Sequence, residues 1–198
     1  MIDFWFSIGS TYTYLSVMRL AEVERASGVA FRWRPFSVRQ IMDEQSNRPF
    51  ITKPVKMAYM WRDIERRAAM YRLPIKVPAP YPLAQWDVAN RIAVLAAQEG
   101  WVNDYARATF RHWFQDGLEP GVEPNLSASL KECGQEPTRV LSRAEKGDIG
   151  DAYEAATAEA RELGIFGSPT FVVGNELFWG DDRLDDAMAW FRSRTLAP

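Results

Sequence analysis

Hydroxyl side chains follow one another in a short stretch near the start of the chain, where their types and spacing could support chemistry. Residues 6–16 read FSIGSTYTYLS, so Ser10, Thr11, Tyr12 and Thr13 come directly after an apolar run. If a helix begins there, its free N–H groups and its dipole favour negative charge, and a hydroxyl can add to that effect. The stretch has no cysteine, histidine or lysine. The pattern therefore favours a serine that assists an anion brought by a bound molecule.

Composition and charge limit the expected partners. The 198 residues carry a formal net charge of -2, which gives no electrostatic reason to expect nucleic acid or an anionic membrane. Cys133 is the only cysteine and His112 the only histidine, so we expect no intramolecular disulfide and no metal site. No basic leader precedes the first apolar run, and no apolar run reaches the ~18 residues of a membrane span. The expected location is a reducing cytoplasm.

The residues around the hydroxyl stretch predict a β-α-β unit. Residues 2–6 are apolar and aromatic, as in a buried strand, and residues 11–27 carry a helical apolar face that ends at Gly28. Residues 29–35 alternate between apolar and polar side chains, as in a second strand. The hydroxyls would then lie at the turn between the first strand and the first helix.

The middle of the chain is almost wholly helical in pattern. After a stretch at 37–52 that is predicted to be irregular, helical patterns cover 54–72, 84–99, 101–115, 126–133, 137–145 and 148–163. The sequence PIKVPAPYP at 74–82 predicts an extended connector, because proline cannot continue a helix.

Strand patterns return only near the end of the chain. TFVV at 170–173 and ELFW at 176–179 flank Gly174-Asn175, a two-residue hairpin signal, and a last helix is predicted at 183–194. The whole order indicates an α/β fold of the thioredoxin-like type (βαβ…ββα) with an all-helical insertion. We expect a thioredoxin-like domain at 1–52 and 164–198 and an inserted helical domain at 53–163.

Pro169 stands at the start of the third predicted strand. In thioredoxin-like proteins the equivalent X-Pro bond is cis and presents the backbone of the preceding residue, here Ser168, to the active site. We therefore expect a cis Ser168-Pro169 bond in contact with Ser10. Redox-active thioredoxins have Cys-x-x-Cys where this chain has hydroxyls, so disulfide exchange is excluded. A hydroxyl there can stabilise the thiolate of a bound peptide such as glutathione, although a plain helix N-cap is an alternative role for Ser10.

Four motifs, spread in order over essentially the whole chain, resemble those of the 2-hydroxychromene-2-carboxylate isomerases. This family has a DsbA-like thioredoxin fold and is related to the kappa-class glutathione transferases. The motifs are Ser10-x-Tyr12-x-Tyr14-Leu15 after an aromatic strand, Asn47-Arg48-Pro49 with Pro54-x-Lys56-x-x-Tyr59-Met60-Trp61-x-Asp63, Gly164-x-Phe166-Gly167-x-Pro169-Thr170-Phe171, and Leu177-Phe178-Trp179-Gly180-x-Asp182-Arg183-Leu184. The chain departs from the family at Thr11, where proline is usual after the serine, and also at Ser7 and Gly9.

The resemblance implies roles for the matching positions, with glutathione as cofactor. Ser10 would be the catalytic residue that hydrogen-bonds the glutathione sulfur, and the backbone of Ser168, before Pro169, would pair with the cysteinyl part. Asp181 and Asp182 would hold the γ-glutamyl end. The remaining implied residues are Asn47 and Lys56, which would bind the cofactor and face the substrate mouth, and the substrate-pocket residues Tyr12, Lys56, Tyr59 and Trp61. A solvated surface charge is the alternative for Lys56.

The function that the resemblance implies is a glutathione-dependent cis–trans isomerase acting in aromatic compound degradation, with a small aromatic carboxylate as substrate. In the family, the thiolate adds to a conjugated carbonyl compound, a C–C bond rotates, and glutathione is released unchanged. A kappa-class-like glutathione transferase and a non-catalytic thioredoxin-like binding module remain alternatives. We expect a homodimer, and a hydrophobic cleft between the two halves of the chain, with Ser10 and Pro169 at its floor and Lys56 at its entrance.

Overall fold

A four-stranded mixed sheet forms the centre of the computed structural model, which describes residues 1–47, 50 and 52–195. The strands are β1 (Ile2–Phe6), β2 (Phe31–Pro35), β3 (Thr170–Val173) and β4 (Glu176–Trp179), in the order β2-β1-β3-β4. β1 and β2 are parallel, and the β1–β3 and β3–β4 pairs are antiparallel. The predicted strands and the hairpin are confirmed.

Aromatic side chains on alternate positions of β1 fill both faces of the sheet. On one face Phe4 stacks on Phe6 and on Phe171 of β3, with centroid distances of 5.4 and 5.3 Å. On the other face the ring of Trp5 packs edge-on against Phe36, 5.8 Å away. β1 is therefore buried on both sides, which explains why its sequence is a continuous apolar run around Asp3 rather than an alternating one.

Apart from one additional helix near residue 40, the helices of the described chain follow the predicted order with small differences at their ends. The last turn of the fifth helix continues into a π-helical segment, His112–Asp116, and a 3₁₀ turn, Asp181–Arg183, precedes the last helix. The helices are α1 (Thr13–Ser27), α2 (Val38–Glu44), α3 (Pro54–Met70), α4 (Trp86–Glu99), α5 (Val102–Arg111), α6 (Asn125–Glu132), α7 (Pro137–Ala144), α8 (Gly147–Glu162) and α9 (Leu184–Ser193).

The prediction of an irregular stretch at 37–52 is wrong in its first half. Helix α2 occupies Val38–Glu44 there, and the Ser37 side chain caps it by accepting a hydrogen bond from the Gln40 N–H. The helix is short, but it buries Val38 and Ile41 against the Trp5 face of the sheet. Arg48 and Pro49, which the predicted turn includes, lie outside the described residues.

The helical middle of the chain shares its core with the sheet. Ile2 and Phe4 of β1 belong to the same buried cluster as Ile92 of α4, Trp113 and Ile149 of α8. The sheet and the helices therefore exclude water together. The predicted domain boundaries at 52/53 and 163/164 stay a prediction.

The proline-rich connector at 74–82 is irregular and is pinned to the helical layer by polar contacts. The Lys76 N–H donates to the Phe114 carbonyl (2.6 Å), and the indole N–H of Trp113 donates to the Pro80 carbonyl (2.8 Å). The Tyr14 hydroxyl of α1 donates to the Pro74 carbonyl. These bonds hold the connector beside the β1–α1 turn, so that Tyr81 and Leu83 lie next to it.

Gly121 packs closely against the backbone of Gln85, the residue just before α4, and this contact can be tested. Both Gly121 and Gly134 have a positive φ, but a Cβ on Gly121 would lie 2.2 Å from the Gln85 carbonyl oxygen, whereas one on Gly134 would meet nothing within 4 Å. Each alanine substitution costs ~1 kcal/mol for the left-handed backbone. We predict that Gly121→Ala lowers the free energy of unfolding by ~2 kcal/mol more than Gly134→Ala, because the clash is with backbone. Urea unfolding followed by circular dichroism measures the difference, and equal losses would contradict the packing described.

Candidate active site

The turn between β1 and α1, which carries Ser10, is held from behind by Asn90 of α4. Asn90 is fully buried, and its amide accepts from the Ile8 N–H and donates to the Ile8 carbonyl, both at 2.8 Å. Its Nδ2 also donates to the Trp86 carbonyl (2.7 Å). Because one rigid side chain satisfies both backbone groups of Ile8, it fixes the path of the turn that leads to Ser10.

Ser168, in the segment just before β3, faces the β1–α1 turn and forms a junction between that segment and the turn. The antiparallel pairing of β1 with β3 sets Trp5 opposite Thr170, which brings the segment before β3 alongside the end of β1. The buried Ser168 hydroxyl accepts from the Ser7 N–H at 2.9 Å and lies 2.9 Å from the Thr13 hydroxyl. The Ser168-Pro169 bond is cis, as predicted.

Ser10 completes this junction, and it does not cap the helix. Its hydroxyl donates to the Ser168 carbonyl at 2.5 Å, which confirms the expected contact. The N-cap position of α1 is Tyr12, without a capping side-chain hydrogen bond, and the first turn of α1 contains no acidic residue. The first turn of α1 therefore contributes no negative charge of its own to its positive dipole end, and Ser10 comes two residues before the N-cap.

An aromatic cavity of about 360 Å³ opens on one side of Ser10. Its walls come from the β1–α1 turn, α2, α3, the connector and the segments around β3 and β4. The expected cleft is present, with Ser10 and Lys56 in its lining, but the expectation that Pro169 lies at its floor is wrong, because Pro169 lines a different cavity on the far side of Ser168. Its aromatic members are Tyr12, Phe50, Tyr59, Tyr81, Trp86, Phe166 and Trp179.

Among the described residues, two cations and a carboxylate line the same aromatic cavity. Lys56 of α3 is exposed and has its ammonium 5.8 Å from the centre of the Phe50 ring. Arg39 of α2 is half-buried. Asp43, one turn after Arg39, also faces the cavity. The cavity therefore offers positive charge at positions where an aromatic acid could find it.

A second, charged cavity of about 330 Å³ lies on the other side of Ser168. Ser168, Tyr12 and Trp179 line both cavities, so they form the boundary between the two. The remaining members of the charged cavity are Asp63, Arg67, Pro169, Gly180, Asp181 and Asp182.

Asp181 and Asp182, which were expected to share one role, have different surroundings. The Asp181 carboxylate is buried, and it accepts hydrogen bonds from Arg67 (2.9 Å), Arg19 (3.3 Å) and Ser16 (3.2 Å). A buried carboxylate needs such partners to remain charged, so Asp181 serves to join α1, α3 and the 3₁₀ turn. Asp182 is 48% exposed, and its only ion pair in the described chain is to the neighbouring Arg183, at 3.3 Å. Asp182 is the more available of the two for a ligand.

Tyr12 connects the two cavities to α3. Its hydroxyl donates to Asp63 at 3.0 Å. Burial and the negative charge of Asp63 raise the pKa of the phenol well above its ordinary value. Tyr12 therefore remains a neutral hydrogen-bond donor at physiological pH, and it cannot act there as a general base.

Most of the residues expected at the site lie at the two cavities, with one correction. Asn47 and Tyr59 line the aromatic cavity, as expected, but Trp61 lines neither cavity. It packs behind Tyr81, with ring centres 6.0 Å apart, and against Phe114. Residues two apart on a helix point in nearly opposite directions, about 160° apart, so Tyr59 and Trp61 of α3 do not share one wall.

Sequence reasoning missed several residues that build the site. Arg39 and Met42 belong to the unpredicted helix α2, and the capping residue Ser37 was the signal that could have found it. Trp86 and Asn90 open a predicted helix, but nothing in their local pattern shows that they reach the β1–α1 turn. Their place in the site depends on the long-range packing of α4.

The chain belongs to the DSBA-like thioredoxin domain family, whose sequence model matches residues 1–189. A relative in Sphingobium xenophagum, named 2-hydroxychromene-2-carboxylate isomerase, is 28% identical over 93% of this chain and 94% of its own length. The Caenorhabditis elegans protein named glutathione S-transferase kappa 1 is 24% identical over 92% of this chain and 86% of its own. A solved structure of a 2-hydroxychromene-2-carboxylate isomerase superposes with a TM-score of 0.85 at 24% identity, covering 98% of this chain and 96% of the other. The predicted fold and family resemblance are confirmed.

The described residues show neither a membrane-spanning helix nor a cluster of metal ligands. Within residues 1–47, 50 and 52–195, none of the helices combines the length and the apolar character that crossing a membrane requires. The same residues include no group of three or more His, Cys, Asp or Glu side chains placed to hold a metal ion.

Asn90→Ala should loosen the β1–α1 turn as well as destabilise the fold. We predict a loss of about 2–4 kcal/mol in the free energy of unfolding, because buried backbone groups lose their partners. We also predict that amide hydrogen exchange at Ile8 accelerates by about tenfold or more, since its acceptor is gone. Hydrogen-exchange NMR measures this.

Asn125→Ala is the matched control, because Asn125 is another fully buried asparagine that bonds two backbone carbonyls, those of Thr109 and Leu118. It should cost similar stability and leave the Ile8 amide protected. If both variants release the Ile8 amide equally, Asn90 has no special hold on the turn.

Proposed function

We propose that this protein is a glutathione-dependent isomerase of small aromatic carboxylates, either a 2-hydroxychromene-2-carboxylate isomerase or a close relative. The observation that carries the proposal is that Ser10 lines the aromatic cavity while its hydroxyl is hydrogen-bonded to the carbonyl of Ser168, a residue that lines both the aromatic and the charged cavity. A peptide thiol held in the charged cavity would place its sulfur where a planar substrate in the aromatic cavity can meet it. The names of the relatives support the same reading.

The residues of the charged cavity fit glutathione. Its γ-glutamyl end carries an ammonium and a carboxylate, and the cavity offers the partly exposed Asp182 for the first and the edge of Arg67 for the second. Within the described part of the chain the Ser168 carbonyl accepts only the Ser10 hydroxyl, so it suits the backbone N–H of the cysteinyl part. Asn47 and Lys56 lie on the aromatic side, where Lys56 can meet a carboxylate of glutathione.

Bound glutathione would supply a thiolate that adds reversibly to a conjugated carbonyl compound. The chain's contribution is to favour the charged form of that sulfur. A free thiol has a pKa near 8.5, and lowering it by two units corresponds to ~2.7 kcal/mol. In the free protein the single hydroxyl proton of Ser10 is donated to the Ser168 carbonyl; on binding it would turn to the sulfur, while the cysteinyl N–H takes its place on that carbonyl. The N-terminus of α1 and this hydrogen bond to the sulfur are together of that order.

The aromatic cavity would hold the substrate and keep water from it. Aromatic rings form much of its lining, and Tyr12 remains a neutral donor at its edge. An arene with an acidic group matches both the rings and the cations there. We include a role in aromatic compound degradation and a cytoplasmic location in the proposal; the homodimer stays a prediction from the sequence.

A kappa-class-like glutathione transferase is the second candidate, favoured by the relative of that name. The two functions differ in the fate of glutathione, which an isomerase returns unchanged and a transferase consumes. Measuring free thiol during turnover separates them. A non-catalytic module predicts neither turnover nor an effect of the Ser10 hydroxyl.

Ser10→Ala should impair turnover far more than glutathione binding. We predict a fall in kcat of tenfold or more, about 1.4 kcal/mol or above, because the hydroxyl acts mainly on the thiolate. Glutathione affinity, measured by calorimetry, should change much less because the contacts of the charged cavity remain. Thr11→Val is the control, since the Thr11 hydroxyl lies in the same turn but donates to the Met60 sulfur. Unchanged kcat in Ser10→Ala would remove Ser10 from the reaction.

A further inference from the structure

Arg39 places a guanidinium without an ionic partner in the wall of the aromatic cavity. Among the described residues it forms no hydrogen bond and no ion pair, and its guanidinium carbon lies 5.3 Å from the centre of the Trp86 ring. Other arginines nearby are committed: Arg34 pairs with Glu159, and Arg67 with Asp181. The Arg39 guanidinium therefore lies at cation–π distance from the Trp86 ring, and its N–H donors have no acceptor among the described residues.

The surroundings of Arg39 define a slot for a flat acid. The Arg39 guanidinium lies over the Trp86 ring, and Tyr81 also lines the cavity. Burial raises the pKa of the Tyr81 phenol, and the positive charge of Arg39 offsets part of that rise, so the two side chains are close enough to interact. Phe50 continues this wall beyond Tyr81, with ring centres 6.1 Å apart. A row of rings thus leads away from the guanidinium. Asp43 faces the cavity one turn later on α2, but no ion pair joins it to Arg39.

We propose that Arg39 is the specificity-determining residue that binds the carboxylate of the substrate, an arene or styrene carboxylic acid whose ring lies along Trp86 and Tyr81. This assignment rests on the proposed function and names which cation at the site recognises the acid. A guanidinium offers two parallel N–H donors, which match the two oxygens of a carboxylate.

Lys56 is the other cation among the described residues of this cavity that could bind the substrate carboxylate, and the structure favours Arg39 over it. Lys56 is exposed, so water and salt screen its charge and its long side chain loses freedom on pairing. Arg39 is half-buried, and its guanidinium lies over the Trp86 ring, so its side chain loses less freedom on pairing and its charge is screened less. Lys56 then remains for glutathione or for solvent.

Calorimetric titration without glutathione tests this assignment, with trans-2-hydroxycinnamate and its methyl ester as probes. We expect the wild-type protein to bind the acid about tenfold or more tightly than the ester. Arg39→Met should reduce that ratio to about threefold or less, and Arg39→Lys, which keeps the charge without the fork, should give an intermediate ratio. The matched control Lys56→Met, which removes one charge from the same cavity, should keep the wild-type ratio. Thermal unfolding checks that each variant is folded.

The assignment is overturned if Arg39→Met keeps the wild-type ratio, if Lys56→Met abolishes it, or if the wild-type protein does not prefer the acid. Because the titration needs neither glutathione nor turnover, its outcome is separate from that of the proposed function. The expected ratios without any isomerisation would refute the function and leave the Arg39 assignment intact. Isomerisation with equal binding of acid and ester would do the reverse.

Discussion

The hydrogen bonds that join the β1–α1 turn to Ser168 are the constraint on which the rest of the site depends. Ser168 is bonded through its hydroxyl to the backbone of Ser7 and through its carbonyl to Ser10, although these residues lie some 160 positions apart in the chain. Asn90 then fixes the same turn from the side of α4. Three distant segments therefore meet at one point, and neither cavity would have its present boundary without that junction.

The two sides of the junction differ in the way their polar groups are satisfied. On the charged side, Asp181 is neutralised by Arg67 and Arg19, so that a buried cluster supports the wall while the partly exposed Asp182 stays accessible. On the aromatic side, Arg39 is supported by a ring rather than by an anion. Asp181, whose buried charge is paired, stabilises the fold, whereas Arg39, which has no ionic partner among the described residues, can bind an acidic substrate.

The fold follows from local signals, whereas much of the site does not. Aromatic runs, the Gly174-Asn175 turn and Ser168-Pro169 are short patterns with direct structural meaning, and the strands, the hairpin and the cis bond follow from them. Asn90 is bonded to a residue 82 positions earlier, so no local pattern could reveal its role. Helix α2 was missed because it has only seven residues and a narrow apolar face. The adjacent carboxylates Asp181 and Asp182 differ only in burial, which depends on the packing of α1 and α3.

The pKa of the bound glutathione thiol is the quantity that tests the central claim most directly. Thiolate absorbance in the far ultraviolet, followed between about pH 5 and 9, reports it. Burial raises the pKa of Cys133, the chain's own thiol, to about 12, so Cys133 does not contribute in this range. The account predicts a bound thiol with a pKa at least about one unit below that of free glutathione. An unshifted pKa at saturating protein would contradict a site in which Ser10 and the start of α1 stabilise the thiolate.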